Sequence, residues 1–218
     1  MRLRNVPGAA EAVAGHERCF QDEAAKQNKG NWQAQFSNNG PLHVEIGMGK
    51  GRFVMDMARL HPEINYIGIE RYDSVLVRAL QKYDEDPLSN VLFISMNAEE
   101  ICDVFEAGEV DRIYLNFSDP WPKDRHAKRR LTSMRYLERY DQILSKEGHI
   151  EFKTDNQDLF AWSLEQVEPA GWKLIASTTD LHHDAVLNEG NVMTEYEQKF
   201  SEIGNNICKM IIVRAVHL

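Results

Sequence analysis

The chain has 218 residues, of which 43% are hydrophobic, and it carries a formal net charge of −9. This length and composition predict one globular α/β domain with a full core, and they leave too little chain for a second. The longest uncharged apolar runs, such as residues 91–94 and 210–213, exclude a membrane span, which needs roughly 20 apolar residues.

The N-terminal 39 residues are rich in Asn, Gln, Gly and Ala and show no sustained periodicity. They predict a partly flexible arm or a short helix, followed by a single domain over residues 40–218 whose fold begins near Pro41. No apolar block follows Arg2 and Arg4. We therefore expect no secretory signal and a cytoplasmic protein.

From Pro41 onward, strand-like apolar runs alternate with helical patterns. The predicted strands cover residues 42–46, 66–69, 91–95, 112–117, 149–152, 173–177 and 208–216. The predicted helices cover residues 52–60, 74–83, 98–105, 133–144 and 157–167. Repeated strand–helix units indicate a mostly parallel, seven-stranded sheet with helices on both faces. The last two strands are separated only by a long polar loop over residues 180–200, which predicts an antiparallel C-terminal pair.

The first predicted strand ends in a glycine-rich turn, with Gly47, Gly49 and Gly51 at alternate positions. Glycine permits a tight turn and a close approach of ligand to backbone, and the helix that follows adds its N-terminal dipole. The spacing differs from the dinucleotide motif G-x-G-x-x-G, and a P-loop would need Gly at Val44 and Ser or Thr at Gly51. The turn predicts an adenine-nucleotide-like ligand, with plain turn chemistry as the alternative.

Two acids stand at the ends of the first two predicted strands. Glu45 lies where a carboxylate would meet a positively charged ligand group. Glu70 closes the second strand, at the separation expected for a ribose-binding acid. Together these acids suit S-adenosylmethionine and favour a ligand site over a structural turn.

The third and fourth predicted strands also end near polar residues. Asn97 precedes a helix. This position predicts that its side chain caps the helix, that its amide contacts an adenine amino group, or both. Asp119 lies at the carboxyl edge, where open α/β sheets bind ligands. An Asp-Pro turn is the structural alternative. Pro120, Trp121 and Pro122, with the cations that follow, favour a functional carboxylate.

A dense cationic segment follows this loop. Residues 123–130 contain five Lys or Arg and one Asp, a local charge of +4 in an otherwise acidic chain. A cationic segment beside a carboxylate is typical of a site that handles a base on a polyanion. The alternative is a solvated charge run. Trp121 either stacks on the base or braces the loop against the core.

Later segments carry weaker signals. Asp155 follows the fifth predicted strand, either as the N-cap of the next helix or as a substrate-binding acid on the same edge as Asp119. Residues 192–200 indicate a polar loop. His182 and His183 are expected at the surface, because adjacent histidines point in different directions and no third ligand is suitably spaced. We therefore expect no metal site.

Taken together, these motifs resemble the bacterial tRNA (guanine-N7-)-methyltransferases, a class I S-adenosylmethionine-dependent family with a Rossmann-like α/β fold. The resemblance runs from about residue 40 to the C-terminus, through VEIGMGKGRF, YIGIE, the segment around Asn97, FKTDN and MTEYEQKF. Its most specific part is NFSDPWPK-x-RH-x-KRRLT. The glycine-rich turn alone would indicate only a class I methyltransferase.

The resemblance also implies a role for each matching residue. It implies S-adenosylmethionine contacts at Glu45, Gly47, Gly49, Gly51, Glu70, Asn97 and Asp119. It implies substrate contacts at Lys123, Asp155, Thr194 and Glu197, and tRNA contacts at Arg125, His126, Lys128, Arg129 and Arg130. Asp119 is also the implied catalytic position, and the implied substrate is the guanosine at position forty-six of the tRNA variable loop. Tyr196 keeps an aromatic ring where many relatives have Phe.

The chemistry of guanine agrees with this resemblance. Its N7 presents an in-plane lone pair, so the protein must mainly align the reactants and stabilise positive charge, a task that suits Asp119. Amino-methyltransferases carry Asp/Asn-Pro-Pro-aromatic loops, whereas the order here is Asp-Pro-Trp-Pro. An RNA or DNA amino-methyltransferase and a non-catalytic RNA-binding protein stay open as alternatives. Monomer and homodimer are equally open, and no membrane partner is expected.

Overall fold

The computed structural model describes residues 6–215, so Arg2 and Arg4 lie outside the described range. Its strands are β1 (Cys19–Gln21), β2 (Leu42–Ile46), β3 (Asn65–Glu70), β4 (Val91–Ser95), β5 (Val110–Asn116), β6 (Leu144–Thr154), β7 (Trp172–Thr178) and β8 (Cys208–Arg214). Its α-helices are α1 (Ala9–Ala14), α2 (Asp22–Lys26), α3 (Arg52–Leu60), α4 (Asp73–Glu85), α5 (Ile101–Val104), α6 (Met134–Ile143), α7 (Gln157–Val167) and α8 (Glu195–Glu202). Short 3-10 helices cover Trp32–Gln35, Ala98–Glu100, Asp124–Arg129 and Leu181–His183. Between residues 6 and 215, no helix has the length and apolarity needed to cross a membrane.

The strands form one sheet in the order β1-β4-β3-β2-β5-β6-β8-β7. Neighbours from β1 to β6 pair in parallel, whereas β8 runs antiparallel to both β6 and β7. The predicted parallel α/β sheet with an antiparallel C-terminal pair is therefore confirmed. Strand β1 adds an eighth strand to the predicted seven.

Hydrophobic cores lie on both faces of the sheet, because side chains alternate along each strand. In β5, Ile113 and Leu115 join one buried cluster, and Tyr114 joins the other. Helices α5, α6 and α7 contribute to the first cluster, and α1, α3 and α4 contribute to the second. Covered on both faces, the sheet is open to ligands at the carboxyl ends of its parallel strands.

The segment before Pro41 belongs to the core, which corrects the expectation of an arm ahead of the fold. Strand β1 pairs in parallel with β4, with Phe20 opposite Ile94. Trp32 is fully buried and donates from Nε1 to the carbonyl of Val104 over 2.9 Å. Strand β1 has only three residues, too few for a visible periodicity in the sequence.

A second expectation is also wrong. The sequence predicts a loop over residues 180–200, but α8 begins at Glu195 within that range. Thr194 caps this helix, and its hydroxyl accepts a hydrogen bond from the backbone N–H of Glu197 over 2.9 Å. Thr194 and Glu197 have the S/T-x-x-E spacing of a capping box. The sequence therefore contained a signal for the start of α8.

Candidate active site

A cavity of about 640 Å³ opens at the carboxyl ends of the central strands. Its wall includes Gly47 after β2, Glu70 at the end of β3, Asn97 after β4 and Asp119 after β5. Sequence-predicted residues from four different strands thus meet in one place. This is the edge at which open α/β sheets bind ligands.

The glycine-rich turn after β2 has a left-handed backbone. The φ angle is 76° at Gly47, 59° at Gly49 and 74° at Gly51, a region that other residues adopt only at a steric cost. A Cβ on Gly47 or Gly49 would meet no heavy atom of the described residues within 4 Å. At Gly51 a Cβ would stand 3.0 Å from the Ala79 side chain, so this glycine allows α3 to pack against α4.

Glu70 holds the glycine-rich turn and also lines the cavity. Its Oε2 accepts from the backbone N–H of Gly49 over 3.2 Å, and its Oε1 accepts from those of Arg71 and Tyr72 over 2.8 and 3.0 Å. Burial raises the pKa of Glu70, against the lowering effect of these bonds. A carboxylate has about four lone-pair directions. Glu70 therefore keeps the capacity to accept from one further donor.

Glu45 lies inside the sheet, with only 2% of its surface exposed. Its Oε1 accepts from Asn116 Nδ2 over 2.9 Å, whereas its Oε2 has no hydrogen-bond partner within residues 6–215. Burial raises the pKa of Glu45 to about 8, and the Asn116 hydrogen bond and the Lys153 charge offset only part of that rise. The protein encloses this oxygen, and Glu45 is not among the described residues of the cavity wall, so its contact with a ligand stays a prediction.

Asn97 fulfils the predicted capping role. Its Oδ1 accepts from the backbone N–H of Glu99 over 3.2 Å at the start of a 3-10 helix. It also lines the cavity. The N-cap is therefore confirmed, and the contact with adenine stays a prediction.

Asp119 lies on a loop whose backbone is strained on both sides of it. The φ angle is 52° at Phe117 and 42° at Trp121. For residues other than glycine, such left-handed conformations cost about 1–3 kcal/mol each and persist only where their surroundings enforce them. Asp119 itself is exposed and forms part of the cavity wall.

The structure separates Arg130 from the other cations of residues 123–130. Arg130 is 8% exposed, and its guanidinium lies 4.3 Å from the centre of the Trp162 ring. The protein itself surrounds this side chain, so Arg130 differs from the other predicted tRNA-contacting residues, and its contact with tRNA is not tested by this burial. The exposed cations of the segment are Lys123, Arg125, Lys128 and Arg129, and His126 is half-buried.

Trp121 lines the cavity and does not belong to either core cluster. The guanidinium of Arg129 lies 5.0 Å from the centre of its ring, and the His126 ring lies 5.9 Å away. The interpretation of Trp121 as a core-facing brace is therefore wrong. Its stacking on a base stays a prediction.

Asp155 is not the N-cap of α7. That role belongs to Asn156, whose Oδ1 accepts from the backbone N–H of Leu159 over 2.8 Å. Asp155 is half-buried, and its Oδ2 accepts from Asn205 Nδ2 over 2.9 Å and from the Tyr196 hydroxyl over 3.4 Å. Asp155 thus connects the end of β6 to α8.

Sequence reasoning missed Lys153, which is buried at the end of β6. Its Nζ donates to Glu197 Oε2 over 2.6 Å and to Asn191 Oδ1 over 3.1 Å. Glu197 is fully buried, and its Oε1 accepts from Asn191 Nδ2 over 2.8 Å and lies 3.0 Å from His182 Nε2. The only sequence signal for Lys153 was a lysine within an apolar strand.

This network changes two expectations. Burial alone would raise the pKa of Glu197, but the charge and hydrogen bond of Lys153 leave it below its usual value. Glu197 orients the segment before α8 and presents no exposed carboxylate to a substrate. His182 belongs to the network and not to the open surface, whereas His183 is 85% exposed. Within the described part of the chain, no three His, Cys, Asp or Glu side chains form a metal-binding group.

Helix α8 contacts both the glycine-rich turn and the Asp119 loop. The Tyr196 ring lies 4.9 Å from the Phe117 ring and 4.0 Å from the Phe200 ring. Glu195 Oε2 lies 3.6 Å from the Nζ of Lys50, which follows Gly49 in the turn. The helix therefore joins the glycine-rich turn to the loop that carries Asp119.

The sheet order and the site define a Rossmann-like, S-adenosylmethionine-dependent methyltransferase. The family model Methyltransf_4, described as "Putative methyltransferase", matches residues 39–210. The solved "Structure of an antibiotic related Methyltransferase" aligns with a TM-score of 0.62 at 20% identity, covering 86% of this chain and 92% of that one. That likeness shows the fold.

Curated relatives identify the family. A tRNA (guanine-N(7)-)-methyltransferase of Lachnoclostridium phytofermentans is 55% identical over 214 residues, which cover 98% of this chain and 99% of that protein. The protein of the same name from Bacillus subtilis is 46% identical over 207 residues, covering 95% and 96% of the two chains. This chain belongs to the bacterial tRNA (guanine-N(7)-)-methyltransferase family, which confirms the resemblance found in its motifs.

Proposed function

We propose that this chain transfers a methyl group from S-adenosylmethionine to N7 of the guanosine at position forty-six of the tRNA variable loop. Family membership supports the reaction, since the relatives carry the name of this activity and match over nearly their whole length. The structural observation that carries the proposal is the meeting of Glu70, Asn97 and Asp119 around one cavity, with exposed cations beside it.

The residues at this edge fit S-adenosylmethionine, which supplies an electrophilic methyl group on a sulfonium. Glu70 has a lone pair left for a ribose hydroxyl, and Asn97 offers an amide to adenine. Glu45 directly precedes two residues of the cavity wall, Ile46 and Gly47, and its predicted contact with the cofactor is part of this proposal. The open backbone at Gly47 and Gly49 lets a ligand approach closely.

The reaction needs no residue to remove a proton from the attacking nitrogen, because N7 of guanine already carries a free lone pair. The protein has to hold the two reactants in line and stabilise the positive charge that spreads onto the purine. Asp119 suits the second task, since it is an acid on the cavity wall whose side chain is open to a bound substrate. Substrates that fill the cavity displace water from around this side chain, which strengthens its interaction with a developing charge.

We place the guanine base in the cavity beside the Asp119 loop. Phe117 and Trp121 are aromatic residues of the cavity wall, and base–aromatic stacking contributes about 1–3 kcal/mol per base. Asp155 and Thr194 offer oxygen atoms to the donors on the edge of guanine. Glu197 acts indirectly, through the segment that it orients with Lys153.

The exposed cations Lys123, Arg125, Lys128 and Arg129 form the proposed tRNA surface. They lie on and before the 3-10 helix that follows the Asp119 loop, in a chain with a net charge of −9. Such a local positive field attracts a polyanion toward the neighbouring cavity. In this proposal the chain acts as one catalytic domain in the cytoplasm, and the mechanism is the same for a monomer and a homodimer.

The test is to incubate the protein with methyl-labelled S-adenosylmethionine and an unmodified tRNA transcript. Digestion to nucleosides should yield labelled 7-methylguanosine. A labelled amino-methylated nucleoside would instead favour the amino-methyltransferase alternative. Binding of tRNA without transfer of label would favour the non-catalytic one.

A further inference from the structure

Arg130 is a buried cation that makes no salt bridge within residues 6–215. Its Nε donates to the carbonyl of Pro120 over 2.9 Å, and one terminal nitrogen donates to that of Trp121 over 3.1 Å. A buried charge is costly unless hydrogen bonds and dipoles replace its lost water. At Arg130 these compensating groups belong to the two residues that directly follow Asp119.

The loop around Asp119 has few backbone groups that could fix its conformation through hydrogen bonds. Its backbone is left-handed at Phe117 and at Trp121, and Pro120 and Pro122 have no N–H to donate. At its start, the N–H of Phe117 donates to the carbonyl of β6 residue Lys153 over 2.8 Å. At its end, the described hydrogen bonds to the Pro120 and Trp121 carbonyls come from Arg130.

Arg130 is itself held in place by the surrounding structure. Its backbone N–H donates to the carbonyl of Ala127 over 3.0 Å, which closes the end of the 3-10 helix. Its guanidinium lies over Trp162 of α7, and Thr132 and Ser163 hydroxyls 2.6 Å apart join the same two segments. A planar guanidinium can stack on a ring and donate to two carbonyls at once, whereas a lysine offers only a point charge.

We infer that Arg130 is a positioning residue for methyl transfer, which keeps Asp119 on the cavity wall by holding the carbonyls of Pro120 and Trp121. The inference rests on the proposed function of Asp119. The neighbouring Arg129 is exposed and lies beside the Trp121 ring. Two adjacent arginines therefore have different tasks, since one orients the loop and the other faces tRNA.

The test compares Arg130→Lys with Arg59→Lys, the same exchange at an exposed arginine near the end of α3, in single-turnover methylation of tRNA. Arg130→Lys should lower the rate constant at saturating tRNA and cofactor roughly 10–100-fold, the scale expected for a slightly misplaced reacting group. Its dissociation constants for tRNA and cofactor should match those of wild type. Arg59→Lys should keep the wild-type rate constant and the wild-type dissociation constants for tRNA and cofactor.

Amide hydrogen exchange gives a second readout that does not depend on activity. In Arg130→Lys, the amides within residues 117–123 should exchange faster, while those of α3 and α4 should exchange as in wild type. A wild-type rate constant, a loss accounted for by weaker tRNA binding, or faster exchange throughout the protein would overturn the inference. If wild type transferred no methyl group to tRNA, the proposed function would fail, and the exchange comparison would still decide whether Arg130 holds the loop.

Discussion

Glu70 and Asn97 each accept a backbone hydrogen bond and also line the cavity. Their place at the site could be predicted, because the carboxyl ends of parallel strands meet at one edge. Burial could not be predicted from residue type. Glu45 and Arg130 are both enclosed, although charged residues are rarely buried unless they are paired. Their roles depend on neighbours such as Asn116, which are distant in sequence.

Glu45 should make the stability of the cofactor-free protein depend on pH. Burial raises its pKa from 4.5 to about 8. Between these two values the folded state binds more protons than the unfolded state, so the free energy of unfolding falls as pH rises. Glu45→Gln removes this dependence. Urea unfolding should show that the free energy of unfolding of wild type falls relative to that of the variant from about pH 5 to about pH 8. A difference between the two proteins that stays constant with pH would contradict the raised pKa of Glu45.

Asp119→Asn should lower the single-turnover rate constant by roughly 10²–10³, the usual effect of removing one electrostatic contact to the transition state. Asparagine keeps the shape of the side chain but loses its charge, so the dissociation constant for tRNA should not change. Asp124→Asn makes the same charge change at an exposed position of the next segment. A comparable loss of rate in both variants, or in neither, would move the role to another residue, with Asp155 the next candidate.

At the level of secondary structure, β2, β4, α3 and α7 begin and end at the predicted residues. Each has a periodicity that its own residues define. Helix α8 was missed because it is short and mostly polar, and its buried side chain is the charged Glu197. The spacing of Thr194 and Glu197 marks its start, but its stability depends on Lys153 on a different element, so local sequence patterns do not reveal its length.

The Lys153–Glu197 pair joins β6 to α8, and its side chains are 5% and 0% exposed. Lys153→Met should reduce the free energy of unfolding by about 3–5 kcal/mol, because it leaves a buried carboxylate without its cation. The double variant Lys153→Met/Glu197→Gln should recover part of this loss. Urea unfolding of the three proteins measures both effects.

Lys209→Met is the matched control for this pair. Lys209 also pairs with a carboxylate, that of Glu151, over 3.0 Å. Glu151 would keep Arg112 and His149 within 3.4 Å after the substitution, so its charge would stay compensated. The loss of stability should therefore be smaller than for Lys153→Met. Equal losses would show that Lys153 is not a special partner of Glu197.

The exposed cations beside the Asp119 loop should govern the salt dependence of tRNA binding. Each phosphate contact releases counterions, so Arg125→Ala/Lys128→Ala should flatten the slope of log affinity against log salt by roughly 1.4–1.8. Lys173→Ala removes a charge from the exposed edge strand β7 and should leave the slope unchanged. Parallel slopes for the double variant and wild type would move the tRNA surface elsewhere on the protein.

At the level of the whole molecule, the alternation of strands and helices was sufficient to predict a mostly parallel sheet with a ligand edge. It could not predict that β1 extends this sheet beyond β4 or that Trp32 enters the core. It also could not predict contacts between distant segments, such as that between Arg52 and Gln198 over 2.6 Å. Pairing of remote segments depends on the complete fold.

The most direct test of the proposed function is to map the methylated atom on tRNA. An unmodified transcript treated with the protein and S-adenosylmethionine, then cleaved chemically at 7-methylguanosine, should show one cut, at position forty-six. The cut should be absent when that position is adenosine, and it should form far more slowly when the protein carries Asp119→Asn. A cut at another guanosine, or transfer of the methyl group without any cut, would contradict the account.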